Sequence, residues 1–263
     1  MKIVATIEAR MGSTRLYGKV LKPLFGEPML ERLIKRVKRS RRLDAIIVAT
    51  TVLERDDPVA ALAFSLGVEC YRGSEDDLLG RVAEAVSAHG GDLLVSLTGD
   101  NPFIDPDFID DMIKFYEEGG YQYTASTHMH FADHWDAERV VPRGISAQVL
   151  DVGILLERHR SVTDPAMREL GLFCIYNRSD VPYRKGAFPP KGIYEGWRHP
   201  ELRMTVDTPE DFEMAERVFA ELVPKDPNFS TEAAIRLLLE RPDLRAINQD
   251  IPQVQPNKEL QNI

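Results

Sequence analysis

Ile3-Val4-Ala5-Thr6-Ile7-Glu8-Ala9-Arg10-Met11-Gly12-Ser13-Thr14-Arg15-Leu16-Tyr17-Gly18-Lys19 is the stretch on which the fold turns. It opens as a short, mainly apolar run without polar alternation, the pattern of a strand covered on both faces. After Ile7 it becomes a loop of cations, glycines and hydroxyls. Residues 45–50 and 92–97 repeat the apolar run, and 68–71 form a shorter one between them. Helical patterning fills the gaps at 29–39, 55–66 and 76–87. The β-α-β-α order predicts a mainly parallel sheet covered by helices. Right-handed crossovers then place the loop after each strand on one edge, where such sheets bind ligands. The opening run is too short for a signal-peptide core, and charge returns at once with Glu8 and Arg10. It reads as a buried strand of a cytoplasmic protein, with Cys70 and Cys174 as free thiols.

The composition agrees. The chain has 263 residues, 43% hydrophobic and 29% charged, enough for a large core without disulfide or metal staples. Its 33 basic and 42 acidic side chains give a formal charge of −9, which argues against a general nucleic-acid binder but leaves room for a local anion site. Two cysteines exclude a disulfide framework and a four-thiolate zinc site. Nothing approaches the roughly 18 apolar residues of a membrane span.

Helix starts are signalled at Ser74, with Asp77 three residues on, at Asp105-Pro106, and at Thr208-Pro209-Glu210-Asp211. Asp100 and Asp207 thereby fall on loops that leave strands. Residues 128–144 lack a clean period and read as an insertion or arm, for substrate or for a second subunit. Beyond it the patterns predict a helix at 151–159, a strand at 172–176, a loop-dominated stretch at 183–200 and a strand at 202–206. Helices follow at 209–221 and 231–240, and the chain after 248 is a loosely ordered tail.

Three segments carry chemistry. In the first, glycines let backbone N–H groups approach an anion, Ser13 and Thr14 add donors, and Arg10, Arg15 and Lys19 supply charge. Together they make a polyphosphate cradle. It is not a Walker A loop, because Val20 follows the lysine, and a merely solvated basic loop is the alternative. The second, Leu97-Thr98-Gly99-Asp100-Asn101-Pro102, presents Asp100 at the sheet edge, though an Asp before a turn also serves simply as an Asx-turn. The third, Arg203 through Phe212, places Asp207 ahead of a helix, where a plain cap-region carboxylate is again the alternative. If Asp100 and Asp207 face one cradle, two carboxylates plus phosphates form a hard-oxygen site suited to Mg²⁺.

These motifs resemble the cytidylyltransferase family that activates acidic sugars such as sialic acids and 3-deoxy-octulosonate, and most closely its spore-coat-polysaccharide branch. The match begins with Ala-Arg-Met-Gly-Ser-Thr-Arg-Leu at 9–16 and Gly18-Lys19, then Lys22-Pro23-Leu24 and Gly26-Glu27-Pro28-Met29-Leu30. It continues through Ile47-Val48-Ala49-Thr50-Thr51, Gly73-Ser74-Glu75-Asp76-Asp77-Leu78-Leu79, Thr98-Gly99-Asp100-Asn101-Pro102, Ile104-Asp105-Pro106 and the Arg203–Asp211 segment. The resemblance implies a three-layer α/β/α Rossmann-like fold of the nucleotide-diphospho-sugar transferase type. Residues 1–248 would form one nucleotidyltransferase domain, with 126–150 an acceptor-binding or dimerisation arm and 249–263 a tail. It implies a Mg²⁺-dependent enzyme, a homodimer without nucleic-acid or membrane partners, that transfers CMP from CTP to a small acidic sugar for surface polysaccharide synthesis. Ala9, Arg10, Met11, Gly12, Ser13, Arg15, Lys19, Thr98 and Gly99 would hold the nucleotide. Arg10, Lys19, Asp100 and Asp207 would be catalytic, the two aspartates as metal ligands.

The chain departs from the branch in places. Glu8 stands where glutamine is usual, which leaves the nucleobase open, and Tyr17 replaces a loop proline. Gly144-Ile145-Ser146-Ala147-Gln148 stands for Gly-Leu-Asp-Val-Glu, and Arg168-Glu169-Leu170-Gly171-Leu172 for Arg-Glu-His-Val-Thr. The acceptor half is thus less typical than the nucleotide half. Two other readings remain open: a nucleotide-sugar-dependent glycosyltransferase, although Asp100-Asn101-Pro102 is not an Asp-x-Asp motif, and a nucleotide-binding homologue with little activity. Arg32, Lys35, Arg36, Lys38, Arg39, Arg41 and Arg42 read as a solvated helix face rather than an RNA site. His128, His130 and His134 lack zinc spacing, and Trp135, Trp197, Cys70 and Cys174 read as packing residues.

Overall fold

A computed structural model describes residues 1–126, 139–176 and 183–252 of the chain. In chain order the strands are β1 (Ile3–Glu8), β2 (Pro23–Leu24), β3 (Glu27–Pro28), β4 (Ala45–Thr51), β5 (Glu69–Gly73), β6 (Leu93–Thr98), β7 (Tyr123–Ala125), β8 (Gln148–Asp151) and β9 (Lys185–Ala187). The helices are α1 (Met29–Val37), α2 (Asp57–Ser65), α3 (Leu78–His89), α4 (Pro106–Gly119), α5 (Val152–Ser161), α6 (Pro165–Glu169), α7 (Phe173–Tyr176), α8 (Pro209–Leu222), α9 (Thr231–Glu240) and α10 (Pro242–Arg245). β2 and β3 make a small separate hairpin, and the other seven strands form one sheet in the order β5-β4-β1-β6-β8-β7-β9. β5, β4, β1 and β6 are parallel, whereas β8 runs antiparallel to both β6 and β7.

The apolar runs explain the layers. In β1, Ile3, Ala5 and Ile7 point into a core shared with α1, α2, α4, α8 and α9, while Val4 points into a second core with α3, α5, α6 and α7. The sheet is therefore covered on both faces, as the unbroken hydrophobicity predicts. In α1, Met29, Leu30, Leu33, Ile34 and Val37 recur at helical spacing and are all fully buried. α4 begins where Asp105 accepts from the Asp107 N–H at 3.0 Å and Pro106 takes the first turn. α8 begins with a full capping box between Thr208 and Asp211.

Several expectations are corrected. α3 is capped by Asp77, which accepts from the Gly80 N–H at 2.7 Å, not by Ser74. Residues 172–176 do not form a strand; Phe173–Tyr176 is a helical turn whose apolar side chains fill the second core. Residues 202–206 do not form a strand of the sheet; among the described residues they make one isolated bridge, Arg143–Arg203. Arg36 is not solvated: it is 5% exposed and donates to the carbonyl oxygens of Ile104, Phe229 and Phe103. Residues 183–200 are less loop-dominated than expected: they hold β9 and a 3₁₀ helix, Gly192–Trp197, whose Tyr194 and Trp197 pack against Phe108. His128, His130, His134 and Trp135 lie outside the described residues.

Candidate active site

Three distant stretches meet beyond the carboxyl ends of β1 and β6. They enclose a cleft of about 340 Å³ lined by Glu8, Ala9, Arg10, Gly12, Ser13, Thr14, Arg15, Lys19, Val20, Glu75, Leu78, Arg81, Thr98, Gly99, Asp100, Glu169 and Asp207. The two strand ends close tightly. The Gly99 N–H donates to the Glu8 carbonyl oxygen at 2.9 Å, and a Cβ on residue 99 would lie 2.9 Å from that same oxygen. Only glycine admits this approach.

Lys19 follows Gly18, which holds a left-handed conformation at φ 66° and turns the chain into a short 3₁₀ segment, Lys19–Leu21. That turn carries the Lys19 ammonium to within 2.9 Å of Asp207 Oδ1, 2.7 Å of the Val206 carbonyl oxygen and 3.5 Å of Asp100 Oδ2. Arg15 reaches Asp207 Oδ1 at 2.9 Å. Arg10 instead pairs with Glu75 at 3.0 Å, and Glu75 is held in turn by Arg55. Every cation of the loop thus already faces a carboxylate.

Asp207 is positioned by a buried network. The Val206 N–H donates to the Asp100 carbonyl oxygen at 2.9 Å, tying the two aspartate segments together. Upstream, Gly144 at φ 93° lets the chain press against Met204 and Thr205, where a Cβ would lie 2.3 Å from the Thr205 nitrogen. Arg203 bridges Asp207 at 3.2 Å and both oxygens of Asp211 at 2.8 and 2.9 Å. Asp211 also accepts from the N–H groups of Asp207 and Thr208, and Asn248 donates to Asp211 at 2.8 Å and to the Arg203 carbonyl at 3.0 Å. Burial opposes the Asp207 charge, but Lys19 first, then Arg15 and Arg203, hold its carboxyl below the usual range. Burial likewise opposes the charge of Arg203, yet Asp211 and Asp207 raise its pKa further.

Asp100 accepts from the Thr98 hydroxyl, and Asn101 fixes Thr98 and Ser146 through its amide at 2.9 and 3.0 Å. Glu8 shows a different environment. Burial raises its pKa to about 7, against the pull of the Thr6 and Ser96 hydroxyls and of Arg81. Burial also lowers the pKa of Arg81, against Glu8.

Ten of the sequence-derived site residues, Ala9, Arg10, Gly12, Ser13, Arg15, Lys19, Thr98, Gly99, Asp100 and Asp207, line this one cleft. Met11 does not: its N–H donates to Asp56 Oδ1 at 2.6 Å, and its side chain lies against Gly18. Arg203 and Asn248, together with Glu75, Arg81 and Glu169, carried no assigned site role in the sequence, and Asp211 was read there only as part of a helix start. The spacing of Asp207 and Asp211, four and eight residues after Arg203, was the available signal.

Among the described residues no group of three or more histidine, cysteine or acidic side chains could hold a metal ion. Asp100 and Asp207 supply only two carboxylates. Two carboxylates are compatible with Mg²⁺, a hard cation that is commonly bound through one or two carboxylates and would take its remaining ligands from elsewhere. The fit rests on the cation the pair already accommodates, the Lys19 ammonium.

Comparison with known proteins agrees with this architecture. The chain matches the family described as cytidylyltransferase over residues 4–246. It is 32% identical over 247 residues to the spore coat polysaccharide biosynthesis protein SpsF of Bacillus subtilis, covering 92% of this chain and 95% of that one. It is 27% identical over 252 residues to a 3-deoxy-manno-octulosonate cytidylyltransferase of Pelodictyon phaeoclathratiforme, covering 85% and 100%. A solved cytidylyltransferase structure from Leptospira borgpetersenii superposes with a TM-score of 0.82 at 26% identity, covering 97% of this chain and all of the other. With a mostly parallel sheet between two helical layers and a family match across nearly its whole length, the chain belongs to the cytidylyltransferase family.

Proposed function

We propose that this protein is a CTP-dependent cytidylyltransferase that transfers CMP to an acidic sugar, of the nonulosonate or 3-deoxy-ulosonate type, and releases pyrophosphate. The observation that carries the reading is the convergence of Arg15, Lys19, Asp100 and Asp207 in one cleft at the sheet's carboxyl edge. The names of the relatives support the acidic-sugar class and a place in surface polysaccharide synthesis. Under the same proposal 1–248 is one catalytic domain, and 126–150 meets the acceptor or a second subunit. Among the described residues no helix is long and apolar enough to cross a membrane.

In this reading the acceptor hydroxyl attacks the α-phosphorus of CTP and pyrophosphate leaves. Arg10, Arg15 and Lys19 release Glu75 and Asp207 and turn to the phosphate oxygens, whose charge grows in the transition state. The hydroxyls of Ser13 and Thr14, which line the same cleft, add neutral donors. Asp207, freed of Lys19 and Arg15 but still braced by Arg203, would hold Mg²⁺ together with Asp100. Bound there, Mg²⁺ would neutralise phosphate charge and lower the pKa of an oxygen it touches.

The test is a matrix of the four nucleoside triphosphates against a panel of acidic sugars, read by pyrophosphate release and product mass. The expected result is pyrophosphate and a CMP-sugar. A free nucleoside diphosphate with a glycoside would assign a glycosyltransferase instead. Nucleotide binding without turnover on any acceptor would leave only a binding homologue.

A further inference from the structure

We infer that Asp56 is a positioning residue for the phosphate loop: its buried carboxylate anchors the Met11 N–H, and through that anchor Arg10, Arg15 and Lys19 are held where a triphosphate meets them. The inference rests on the nucleotide-binding reading and deepens it. Asp56 ends a short 3₁₀ segment, Glu54–Asp56, and stands immediately before α2. An aspartate in that place is expected to cap the helix. Here it does not: no N–H of α2 reaches its side chain, and the carboxylate goes instead to the loop after β1.

That carboxylate is fully buried, and among the described residues no basic side chain pairs with it. Burying a carboxylate is costly unless hydrogen bonds replace its water. Oδ1 accepts from the Met11 N–H at 2.6 Å, and Oδ2 accepts from the Thr51 hydroxyl. The Leu53 N–H donates to the oxygen of that hydroxyl at 3.3 Å, which leaves the hydroxyl proton for Asp56.

Met11 is the hub of the loop. Its carbonyl oxygen accepts from the Ser13 N–H at 2.8 Å and from the Gly18 N–H at 3.0 Å, so residues 11–18 close into a ring. Its side chain packs on Gly18, where a Cβ would lie 2.9 Å from Met11 Cε. Gly18 then turns the chain into Lys19. Arg10 stands directly before the hub and Arg15 within the ring, and both line the cleft with Lys19. The ring's own bonds give the loop a shape, and the Asp56 bond fastens that shape to the chain leaving β4. Without the anchor, a polyanion must order the loop as it binds, which lowers its affinity.

The experiment is isothermal titration of wild type, Asp56→Ala, Asp56→Asn and Thr51→Val with inorganic tripolyphosphate in the absence of metal, with urea unfolding and amide hydrogen exchange of each protein. Asp56→Ala should bind about tenfold more weakly or worse, the scale of one hydrogen bond to a carboxylate. Its Met11, Ser13 and Gly18 amides should exchange faster while those of β1 and β4 keep their protection. In Asp56→Asn the amide oxygen still accepts from Met11 and the NH₂ group donates to Thr51, so affinity should return to within about threefold of wild type. Thr51→Val keeps the carboxylate but removes the donor that orients it, and should weaken binding by about threefold or more. Ser230→Ala removes the cap of α9 away from the cleft. It should lower the urea midpoint and leave tripolyphosphate affinity unchanged, which separates loss of stability from loss of positioning. Unchanged affinity in Asp56→Ala, or in Thr51→Val where Asp56→Ala does not fold, overturns the assignment, as does an Asp56→Asn protein that binds as weakly as Asp56→Ala. Those outcomes leave the nucleotide site standing. A wild type that does not bind tripolyphosphate overturns the phosphate-cradle reading itself, and the Asp56 assignment with it.

Discussion

Glu8 and Asp207 are both carboxylic acids at the floor of one cleft, and their surroundings drive them apart. Among the described residues Glu8 meets two hydroxyls and no ion-paired cation, and burial raises it from 4.5 to about 7. The sign of the linkage follows. Below pH 4.5 the group is protonated folded and unfolded. Between 4.5 and about 7 the unfolded chain releases its proton while the folded chain keeps it, so stability falls as pH rises, and the deficit is complete above 7. Glu8→Gln should abolish this slope and stabilise the protein at pH 8 by about 1–3 kcal/mol relative to its effect at pH 4.5, measured by urea unfolding at the two pH values. Equal effects at both pH values would contradict the environment described for Glu8. Asp207 behaves oppositely: Lys19, Arg15 and Arg203 outweigh the cost of burial, so its contribution is present above the ordinary aspartate range and is lost as pH falls through the lowered value. Asp207→Asn frees Lys19 and Arg15 from their shared partner. It should tighten metal-free tripolyphosphate binding by roughly threefold or more while abolishing turnover, since about 1 kcal/mol of competing ion pairing is removed. Weaker tripolyphosphate binding in a calorimetric titration would show that the carboxylate does not compete with phosphate.

At the scale of elements, the start of α8 joins the fold to the chemistry. One carboxylate, Asp211, closes the capping box, accepts from the Asp207 N–H and neutralises the buried Arg203. Thr208→Ala removes one cap hydrogen bond and should cost about 1 kcal/mol. Asp211→Ala leaves Arg203 buried without its bidentate partner and should cost about 3–5 kcal/mol, with a large loss of activity because Asp207 loses its brace. Denaturant melts of the two variants give the ranking, and equal costs would refute the network. The sequence made the helix start legible through Thr208, Pro209 and Asp211. It hid the network because Asp211 already had a sufficient local explanation as a cap. Legibility elsewhere followed the same physics. The unbroken runs of β1, β4 and β6 announced buried parallel strands. β7, β8 and β9 are three or four residues long and carry polar positions such as Thr124 and Gln148, so they left no comparable signal. Phe173–Tyr176 is as apolar as a strand, and four residues are too few for periodicity to separate a buried helical turn from one.

For the whole molecule, the parallel half of the sheet brings β1 and β6 side by side, so their loops must face each other. The extended chain before α8 is then fastened to Asp100 through Val206 and to Arg143 through Met204. Lys19, Asp100 and Asp207, separated by 81 and 107 residues along the chain, meet for that reason. The nucleotide half could be read from sequence because backbone constraints there demand glycine and charge at fixed places. The acceptor half could not, since Ser146, Gln148 and Leu170 depart from the branch and 127–138 lie outside the described residues. The most direct measurement of the central claim is CTP affinity, by isothermal titration, of wild type, Arg15→Ala, Lys19→Ala and the double variant. Each single change should weaken CTP binding by about tenfold or more with the fold retained, and the double variant should depart from the product of the two because both cations share one carboxylate and one ligand. Unchanged CTP affinity in Lys19→Ala would contradict the account.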